Sequence, residues 1–250
     1  MLSKSDTKFI QSLHLKKFRD AAHNFVAEGS KVVLDLLQCK HLACVHIFGL
    51  QHWLHVNEPL VRKYYLGPLQ EVLPHELEKM SALHTPNQVL AVFEKLAPAP
   101  VIVAGNISLV LDDIQDPGNM GTIIRIADWF GVKNIICSMH SADIYNPKVV
   151  QSTMGSLGRI NIIYDNLNDW LTQNGIVPIY AAALNGKNLL QSQKLQEGIL
   201  IIGNESKGIS EGLLQLATEI ITIPKVGVAE SLNAAVATGI ILSHLVPARL

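Results

Sequence analysis

The sequence predicts an α/β protein with a parallel sheet in its C-terminal part and a smaller α/β unit before it. After about residue 106, apolar runs alternate regularly with segments of helical period, and these runs are apolar on both faces. Such runs are typical of parallel strands covered by helices on both sides. The chain has 250 residues, 48% hydrophobic and 16% charged, which is enough for a full core in one or two domains.

The first part of the chain is predicted to form a small α/β unit. Three runs read as strands: FVAEG (25–29), ACVHIFG (43–49) and VLAVFE (89–94). SKVVLDLLQ reads as a helix capped by Ser30. The stretch LAPAPVIVAGN carries two prolines among small residues and marks a boundary. We therefore expect a domain over 1–95, a linker over 96–106 and a domain over 107–250.

The second part alternates strand and helix more strictly. The strands are predicted at ISLVLDD, NIICS, INIIY, VPIYAAAL, GILIIGN and EIITIP, and the helices at 119–130, 147–157, 167–173, 210–217 and 231–246. In open parallel sheets, ligands bind beyond the carboxyl ends of the strands. Three polar clusters fall at such strand ends.

The first cluster is DDIQDPGNMGTIIRIADWFGV, at 112–132. Its DPGN stretch is predicted to form a turn, with Asn119 as the cap of the next helix. Arg125 would then lie near the start of that helix, where the dipole favours an anion and a guanidinium suits phosphate. The alternative is a surface arginine paired with Asp128 or Asp116.

The second cluster is GNESKGIS, which begins at Gly203 directly after a buried strand. Gly203 would let a ligand approach the backbone, and Asn204 and Gly208 tolerate left-handed turn geometry. Glu205 presents a carboxylate at the ligand edge of the sheet. A plain loop with Ser210 as helix cap explains part of this pattern, but not the carboxylate.

The third cluster is ITIPKVGVAESLNAAVATGIIL, at 221–242. Ser231 and Asn233 are predicted to begin a helix that continues with small apolar residues. Such a helix suits close packing against another helix or subunit, although small residues are also common in an ordinary core.

Charge and cysteine content narrow the function classes. The net charge of -1 gives no overall attraction to nucleic acid, but basic residues gather near the N-terminus, at Lys4, Lys8, Lys16, Lys17 and Arg19. They mark either an RNA contact or a solvated helix face. Cys39, Cys44 and Cys137 form no disulfide or zinc pattern, which favours a reducing cytoplasm. The N-terminus lacks the apolar core of a signal peptide, and no apolar run reaches the roughly 18 residues of a membrane span.

Histidines are concentrated in the N-terminal half. They include His41, His46, His52 and His55. Their irregular spacing and the lack of cysteine pairs disfavour zinc, so packed or surface histidines are expected, with an RNA face as a further reading.

Taken together, the three clusters resemble a known family. N-x-x-x-x-x-R, then G-N-E-x-x-G, then I-P followed by S-L-N, are similar to the three motifs of the SpoU (TrmH) family of RNA ribose 2'-O-methyltransferases, in the SPOUT superfamily. The resemblance covers 107–250. Through KKFR, FVAEGSKVVLDLL and S-x-x-x-T-P-x-x-V-L-A-V, the first part resembles the L30e-like substrate-binding domain often fused to these enzymes.

The resemblance implies a parallel sheet with a deep trefoil knot, S-adenosylmethionine as methyl donor and a homodimer built on the C-terminal helix. The positions matched to donor binding are Gly203, Asn204, Ile223 and Leu232, together with Ala183 and Leu184. No GxGxxG follows ISLVLDD, which argues against a Rossmann-type methyltransferase.

The resemblance also implies catalytic roles. A guanidinium with a pKa above about 12 is a poor base, so Arg125 is expected to grip the adjacent phosphate and stabilise the developing alkoxide, while phosphate oxygen or water takes the proton. Asn119 would position Arg125 or the target nucleotide. Glu205 would orient Arg125 across the subunit interface or hold the ribose, and Ser231 and Asn233 would contact substrate and donor. No metal is required.

Two positions depart from the commoner family pattern, namely Ser206 in place of glycine and Lys225 in place of an apolar residue. Ser206 affects the loop geometry, and Lys225 adds a potential phosphate contact. Two alternatives stay open: a non-catalytic RNA-binding or ribosome-assembly protein on the same fold, and an enzyme using another nucleotide cofactor. Ribosomal RNA is favoured over transfer RNA because an L30e-like domain suits structured RNA recognised by shape.

Overall fold

The computed structural model describes residues 2–247, so the last three residues of the predicted 107–250 domain lie outside it. The chain divides into two compact units. The first contains residues up to Ala97 together with Asp143–Gly158, and the second contains Pro98–Ala142 and the residues from Arg159 onward. The segment 143–158, assigned to the C-terminal domain from sequence, thus packs with the N-terminal part. The domain division otherwise stays a prediction.

The helices and strands are numbered in chain order. Before the linker they are α1 Lys4–Ser12, α2 Lys16–Ala22, β1 Asn24–Glu28, α3 Ser30–Leu37, β2 Cys44–Gly49, α4 Gln51–Val61, β3 Leu69–Glu71, α5 Pro74–Met80 and β4 Val89–Glu94. After it they are β5 Ile107–Leu111, α6 Pro117–Trp129, β6 Asn134–Ser138, α7 Pro147–Thr153, β7 Asn161–Asp165, α8 Leu167–Asn174, β8 Ile179–Asn188, β9 Gly198–Ile202, α9 Glu211–Leu216, β10 Glu219–Thr222 and α10 Ala234–Leu245.

The first unit is built on a four-stranded mixed sheet in the order β1-β4-β2-β3. Strand β4 is antiparallel to β1 and β2, whereas β2 and β3 are parallel. The three predicted strands and the predicted helix are confirmed. The cap of α3 is Gly29, with φ of 90°, and not Ser30, whose hydroxyl accepts a hydrogen bond from Trp53 Nε1 at 2.9 Å.

The inserted segment contributes to the core of this first unit. The Tyr145 ring lies 4.9 Å from that of Phe25, which in turn stacks on Phe93 at 5.8 Å. Arg19 is 2% exposed and forms an ion pair with Asp143. The expectation that Arg19 contributes to a basic surface is therefore wrong, because its charge is buried against a carboxylate.

The second unit is built on six parallel strands in the order β10-β8-β9-β5-β6-β7. All six predicted strands are present, and the parallel sheet is confirmed. Leu111 at the end of β5 is in register with Ile202 at the end of β9, so the loops that follow these two strands start side by side. These loops are the first and second polar clusters. The trefoil knot stays a prediction.

Candidate active site

Three side chains from the three polar clusters form one hydrogen-bonded chain. Asn119 Nδ2 donates to Glu205 Oε1, and Asn233 Nδ2 donates to Asn119 Oδ1 at 2.7 Å. Asn119 and Glu205 are half-buried. The Asn119 amide thus uses both its N-H group and its oxygen. It links Glu205, 86 positions later in the chain, to Asn233, 114 positions later. The structure brings together three of the five predicted catalytic residues.

The start of α6 differs from the sequence prediction. The helix begins at Pro117, and its cap is Asp116, whose side chain accepts from the Asn119 N-H at 2.8 Å. Proline at the first helical position is favoured because its missing N-H is not needed there. Asn119 is thus not the cap, and its side chain is free to reach Glu205.

Arg125 lies in the third turn of α6, and not near the helix start as predicted. Its side chain is exposed and makes no hydrogen bond or ion pair with any residue in the described range 2–247. Asp128, one proposed surface partner, instead binds Arg159 at 2.7 Å. Asn119 does not hold Arg125 within this chain.

Asn233 begins α10 and Ser231 does not. The Asn233 side chain accepts from the N-H groups of Ala235 and Val236 at 3.0 and 3.2 Å. Ser231 lies in the preceding loop, exposed and without a hydrogen bond to the described part of the chain. Helix α10 packs on α6, where Gly239 faces the Ile126 side chain.

The loop after β9 has an internal reason for its glycines. A Cβ on Gly203 would lie 2.4 Å from the backbone of Gly208 and 2.5 Å from that of Ile209. Gly208 has φ of 72°, the left-handed geometry expected for it. Asn204 is not left-handed. Its side chain instead accepts from the N-H groups of the next turn, at Ser206 and Lys207.

Besides Gly203 and Asn204 in the loop after β9, the predicted donor-binding residues lie in two irregular segments. Ala183 and Leu184 belong to a bulge of β8, because Ala181 pairs with Ile220 while Lys187 pairs with the next residue of β10. Leu184 is 68% exposed, and its carbonyl accepts from the Thr222 hydroxyl at 3.1 Å.

Ile223 directly precedes the second segment, residues 224–232, and Leu232 is its last residue. Residues 224–232 make no hydrogen bond to the rest of the described chain, and they carry the exposed apolar side chains of Val226 and Val228. Free backbone N-H and C=O groups beside apolar side chains fit an adenine and ribose held largely by backbone hydrogen bonds.

Sequence reasoning missed two residues of this region, Asp112 and Asp113. Asp112 Oδ2 accepts from the N-H of Ser210, the first residue before α9. Asp113 has φ of 57° and contacts the second loop through Asn204 and Lys207. The one available signal was the pair of adjacent aspartates directly after a buried strand.

Within residues 2–247, no group of three or more His, Cys, Asp or Glu side chains is arranged to hold a metal ion. The same residues contain no helix with the length and apolar character needed to cross a membrane.

A six-stranded parallel sheet with polar side chains joined at its carboxyl edge defines an α/β protein with a ligand site at that edge. The SpoU rRNA Methylase family model matches residues 106–243, and a model described as an MRM3-like substrate binding domain matches residues 4–91. This chain therefore belongs to the SpoU rRNA methylase family. The resemblance seen in the sequence is confirmed.

Named relatives and solved structures agree with this family. The chain is 32% identical over 94% of its length to a Bacillus subtilis 23S rRNA (guanosine(2553)-2'-O)-methyltransferase, RlmP, and covers 93% of that protein. A putative TrmH-family RNA methyltransferase from Porphyromonas gingivalis superposes with a TM-score of 0.86 at 34% identity, over 98% of both chains. An AdoMet-bound rRNA methyltransferase from Sinorhizobium meliloti gives a TM-score of 0.86 at 30% identity, over 98% of this chain and 95% of that one.

Family membership gives the reaction class: this chain is an RNA ribose 2'-O-methyltransferase with S-adenosylmethionine as its methyl donor. The predicted enzyme class and cofactor are confirmed.

Proposed function

We propose that this protein methylates a ribose 2'-hydroxyl of ribosomal RNA. The observation that carries the proposal is the Asn233-Asn119-Glu205 chain, which joins all three motifs at the carboxyl edge of the sheet. Ribosomal RNA is favoured over transfer RNA because the Bacillus subtilis relative that spans most of the chain acts on 23S rRNA.

The methyl donor supplies a methyl group on a positively charged sulfur. Its adenosine part would be held by the backbone after β9 and β10, at Gly203 and Ile223, and by the exposed Leu232 and Leu184 side chains. These are apolar surfaces next to free backbone groups, which suit a flat base and its ribose.

The side chains of the edge would act on the RNA. Asn119 donates a hydrogen bond to one oxygen of Glu205 and fixes the carboxylate. The other oxygen would accept a hydrogen bond from a ribose hydroxyl and so hold the ribose. Ser231, exposed in the loop before α10, and Asn233 would contact substrate and donor.

Arg125 would grip the adjacent phosphate and stabilise the charge that develops on the 2'-oxygen, because a guanidinium is a strong bidentate partner for phosphate. The proton would pass to phosphate oxygen or water, since a guanidinium does not accept one near neutrality.

A homodimer built on the C-terminal helix is part of the same proposal, with Glu205 orienting Arg125 across the subunit interface or holding the ribose. Apolar side chains on α6 and α10 point to solvent: Trp129 is 84% exposed, Val236 51% and Ile240 38%. Burial of such side chains favours association. Light scattering should give a dimer mass that falls in Ile240→Glu and not in Leu66→Glu, whose exposed side chain lies between α4 and β3.

The first unit would contact the RNA. Lys4, Lys8, Lys16 and Lys17 are all exposed, and the Lys17 ammonium lies 5.9 Å from the ring of Phe18, which is 43% exposed. Exposed aromatic and basic side chains together suit unpaired bases and phosphates. A cytoplasmic location is part of the same proposal, because Cys39, Cys44 and Cys137 are not joined in disulfides.

The test is tritium transfer from labelled S-adenosylmethionine to unmodified ribosomal and transfer RNA, supplied separately. Label in ribosomal RNA only, recovered as a 2'-O-methylated nucleoside, is the expected result. Arg125→Ala should abolish transfer and leave donor affinity within about twofold, because the arginine acts on RNA. An equal loss of donor affinity would contradict the role of Arg125. Donor binding without transfer to any RNA, assembly intermediates included, would favour the non-catalytic alternative.

A further inference from the structure

Every polar group of Asp113 is occupied. Its N-H donates to Ser138 Oγ at 2.9 Å, and its carbonyl accepts from Asn204 Nδ2 at 2.8 Å. Its carboxylate accepts from Gln115 Nε2 at 2.9 Å on one oxygen and from Lys207 Nζ at 3.0 Å on the other. Asp113 is also one of few described residues other than glycine with a left-handed backbone. Aspartate tolerates this geometry better than most side chains.

Two of these contacts join the loops that carry the site. Asn204 and Lys207 belong to the loop that presents Glu205, whereas Asp113 begins the loop that leads to Asn119. The Lys207 side chain is 72% exposed, so its ammonium could be solvated by water alone, but it folds back over Asp113. The two loops are thus tied by these contacts in addition to the Asn119-Glu205 bond.

We propose that the ion pair of Asp113 and Lys207 is a positioning latch that holds the Glu205 carboxylate against Asn119. The inference rests on the proposed function for its kinetic consequence. It assigns both residues to positioning, since neither is placed against the donor or the reacting oxygen.

An exposed ion pair contributes little to global stability, so loss of the latch should leave the fold intact. The loop would then sample more positions, and a small displacement of a catalytic group costs rate much more than it costs binding. The hydrogen bond from Lys207 lowers the pKa of Asp113, so the carboxylate stays charged across the neutral range in which the enzyme is assayed.

The variants are Asp113→Asn, Lys207→Gln and their combination. Asparagine keeps the shape and the left-handed backbone of Asp113 and removes the charge. Each single variant should lower kcat about fivefold, with KM for RNA and donor affinity within about twofold. The double variant should be no slower than either single one, because the two residues act through one interaction. Lys207→Arg should restore most of the rate.

A second measurement does not depend on activity. Amide hydrogen exchange of the full chain without RNA should be faster at residues 204–208 in Asp113→Asn than in the wild type, since the latch no longer closes that loop. Unchanged exchange there would overturn the latch whether or not the enzyme is active.

Two kinetic results would also overturn it. The first is a kcat of Asp113→Asn equal to that of the wild type, provided that the wild type is active. The second is a rise in KM for RNA in Lys207→Gln alone, which would make Lys207 an RNA contact. If the wild type transfers no methyl group but hydrogen exchange changes as expected, the proposed function is contradicted and the latch is still supported.

Discussion

Asn119 is the residue on which the site depends most directly. Its amide donates on one side to Glu205 and accepts on the other from Asn233, so only one orientation of the side chain satisfies both partners. Aspartate cannot replace this asparagine, because an ionised carboxylate only accepts hydrogen bonds and has none to donate to Glu205.

We therefore expect Asn119→Asp to lose at least about 100-fold in methyl transfer, because a second carboxylate would face Glu205 and repel it. The measurement is the single-turnover rate with saturating donor. Asn188→Asp is the matched control, since the Asn188 side chain only accepts from the Leu190 N-H and aspartate can do the same. A full rate in Asn119→Asp would show that the Asn119 bond to Glu205 is not needed.

His14 is a titratable residue that the site does not use. Burial lowers its pKa from the usual 6.5, and the nearby Glu28 carboxylate opposes the shift only in part. Its Nε2 has no hydrogen-bond partner among residues 2–247. The unfolded state therefore binds a proton more readily than the folded state does below about pH 6.5.

The unfolding free energy should consequently fall as the pH is lowered from 7.5 to 5.5. His14→Gln should flatten this dependence, whereas His52→Gln, on the exposed face of α4, should not. Urea denaturation at several pH values measures the effect. An identical pH dependence in His14→Gln and the wild type would show that His14 titrates alike in both states.

At the scale of elements, the turn out of β9 is fixed by the close approach of its own backbone. Gly203→Ala should displace the loop, because the added carbon would meet the backbone of Gly208 and Ile209 and no side chain can move away. We expect a destabilisation of about 2 kcal/mol and a loss of donor binding.

Gly227→Ala, in the segment after β10, is the control for the stability effect alone, since nothing lies within 4 Å of a Cβ there. Thermal unfolding and calorimetric donor titration measure both effects. Equal melting temperatures for Gly203→Ala and Gly227→Ala would mean that the loop accommodates a side chain, and that the glycine at 203 serves the ligand alone.

The strands of the second unit could be predicted because parallel strands buried on both faces are apolar throughout, as in β9, where every residue is buried. Of the helices in the first unit, α3 was predicted, whereas α1, α2, α4 and α5 were missed because each of them buries at most two side chains. Only Ile10 is buried in α1, and α4 contains Pro59. The position of Arg125 was misjudged because the start of α6 was placed at Asn119, whereas proline at the first helical position moves it to Pro117.

At the scale of the whole molecule, the first unit consists of two stretches that are separated in the sequence. The family model over 106–243 includes the segment Asp143–Gly158, which packs with the residues before Ala97. The contact between Arg19 and Asp143 spans 124 positions. The sequence pattern cannot predict such a contact. Hydrophobic periodicity indicates local helices and strands, whereas this contact depends on which buried surfaces pack together. The first unit is therefore completed by residues that belong to the methylase sequence.

Covalent continuity through the linker should thus be unnecessary once the protein has folded. A protease site inserted after Pro100, next to the exposed residues 97–100, would separate the chain into two fragments. The fragments should co-elute in size-exclusion chromatography, because the Tyr145 ring and the Asp143 carboxylate of one fragment are buried against Phe25 and Arg19 of the other. Asp143→Ala should release them, since removal of one partner leaves a buried charge at a cost of about 3 to 5 kcal/mol.

The control for this experiment is Arg62→Gln, which removes an ion pair whose partner, Glu58, lies in the same fragment. That variant should stay associated after cleavage, because no contact between the fragments is lost. If the wild-type fragments separate on cleavage, or if residues 1–100 alone unfold with the cooperativity and midpoint of the intact chain, then the segment 143–158 adds nothing to the first unit. Retention in the wild type and Arg62→Gln with release in Asp143→Ala would mean that neither unit can be excised at the linker without loss of stability.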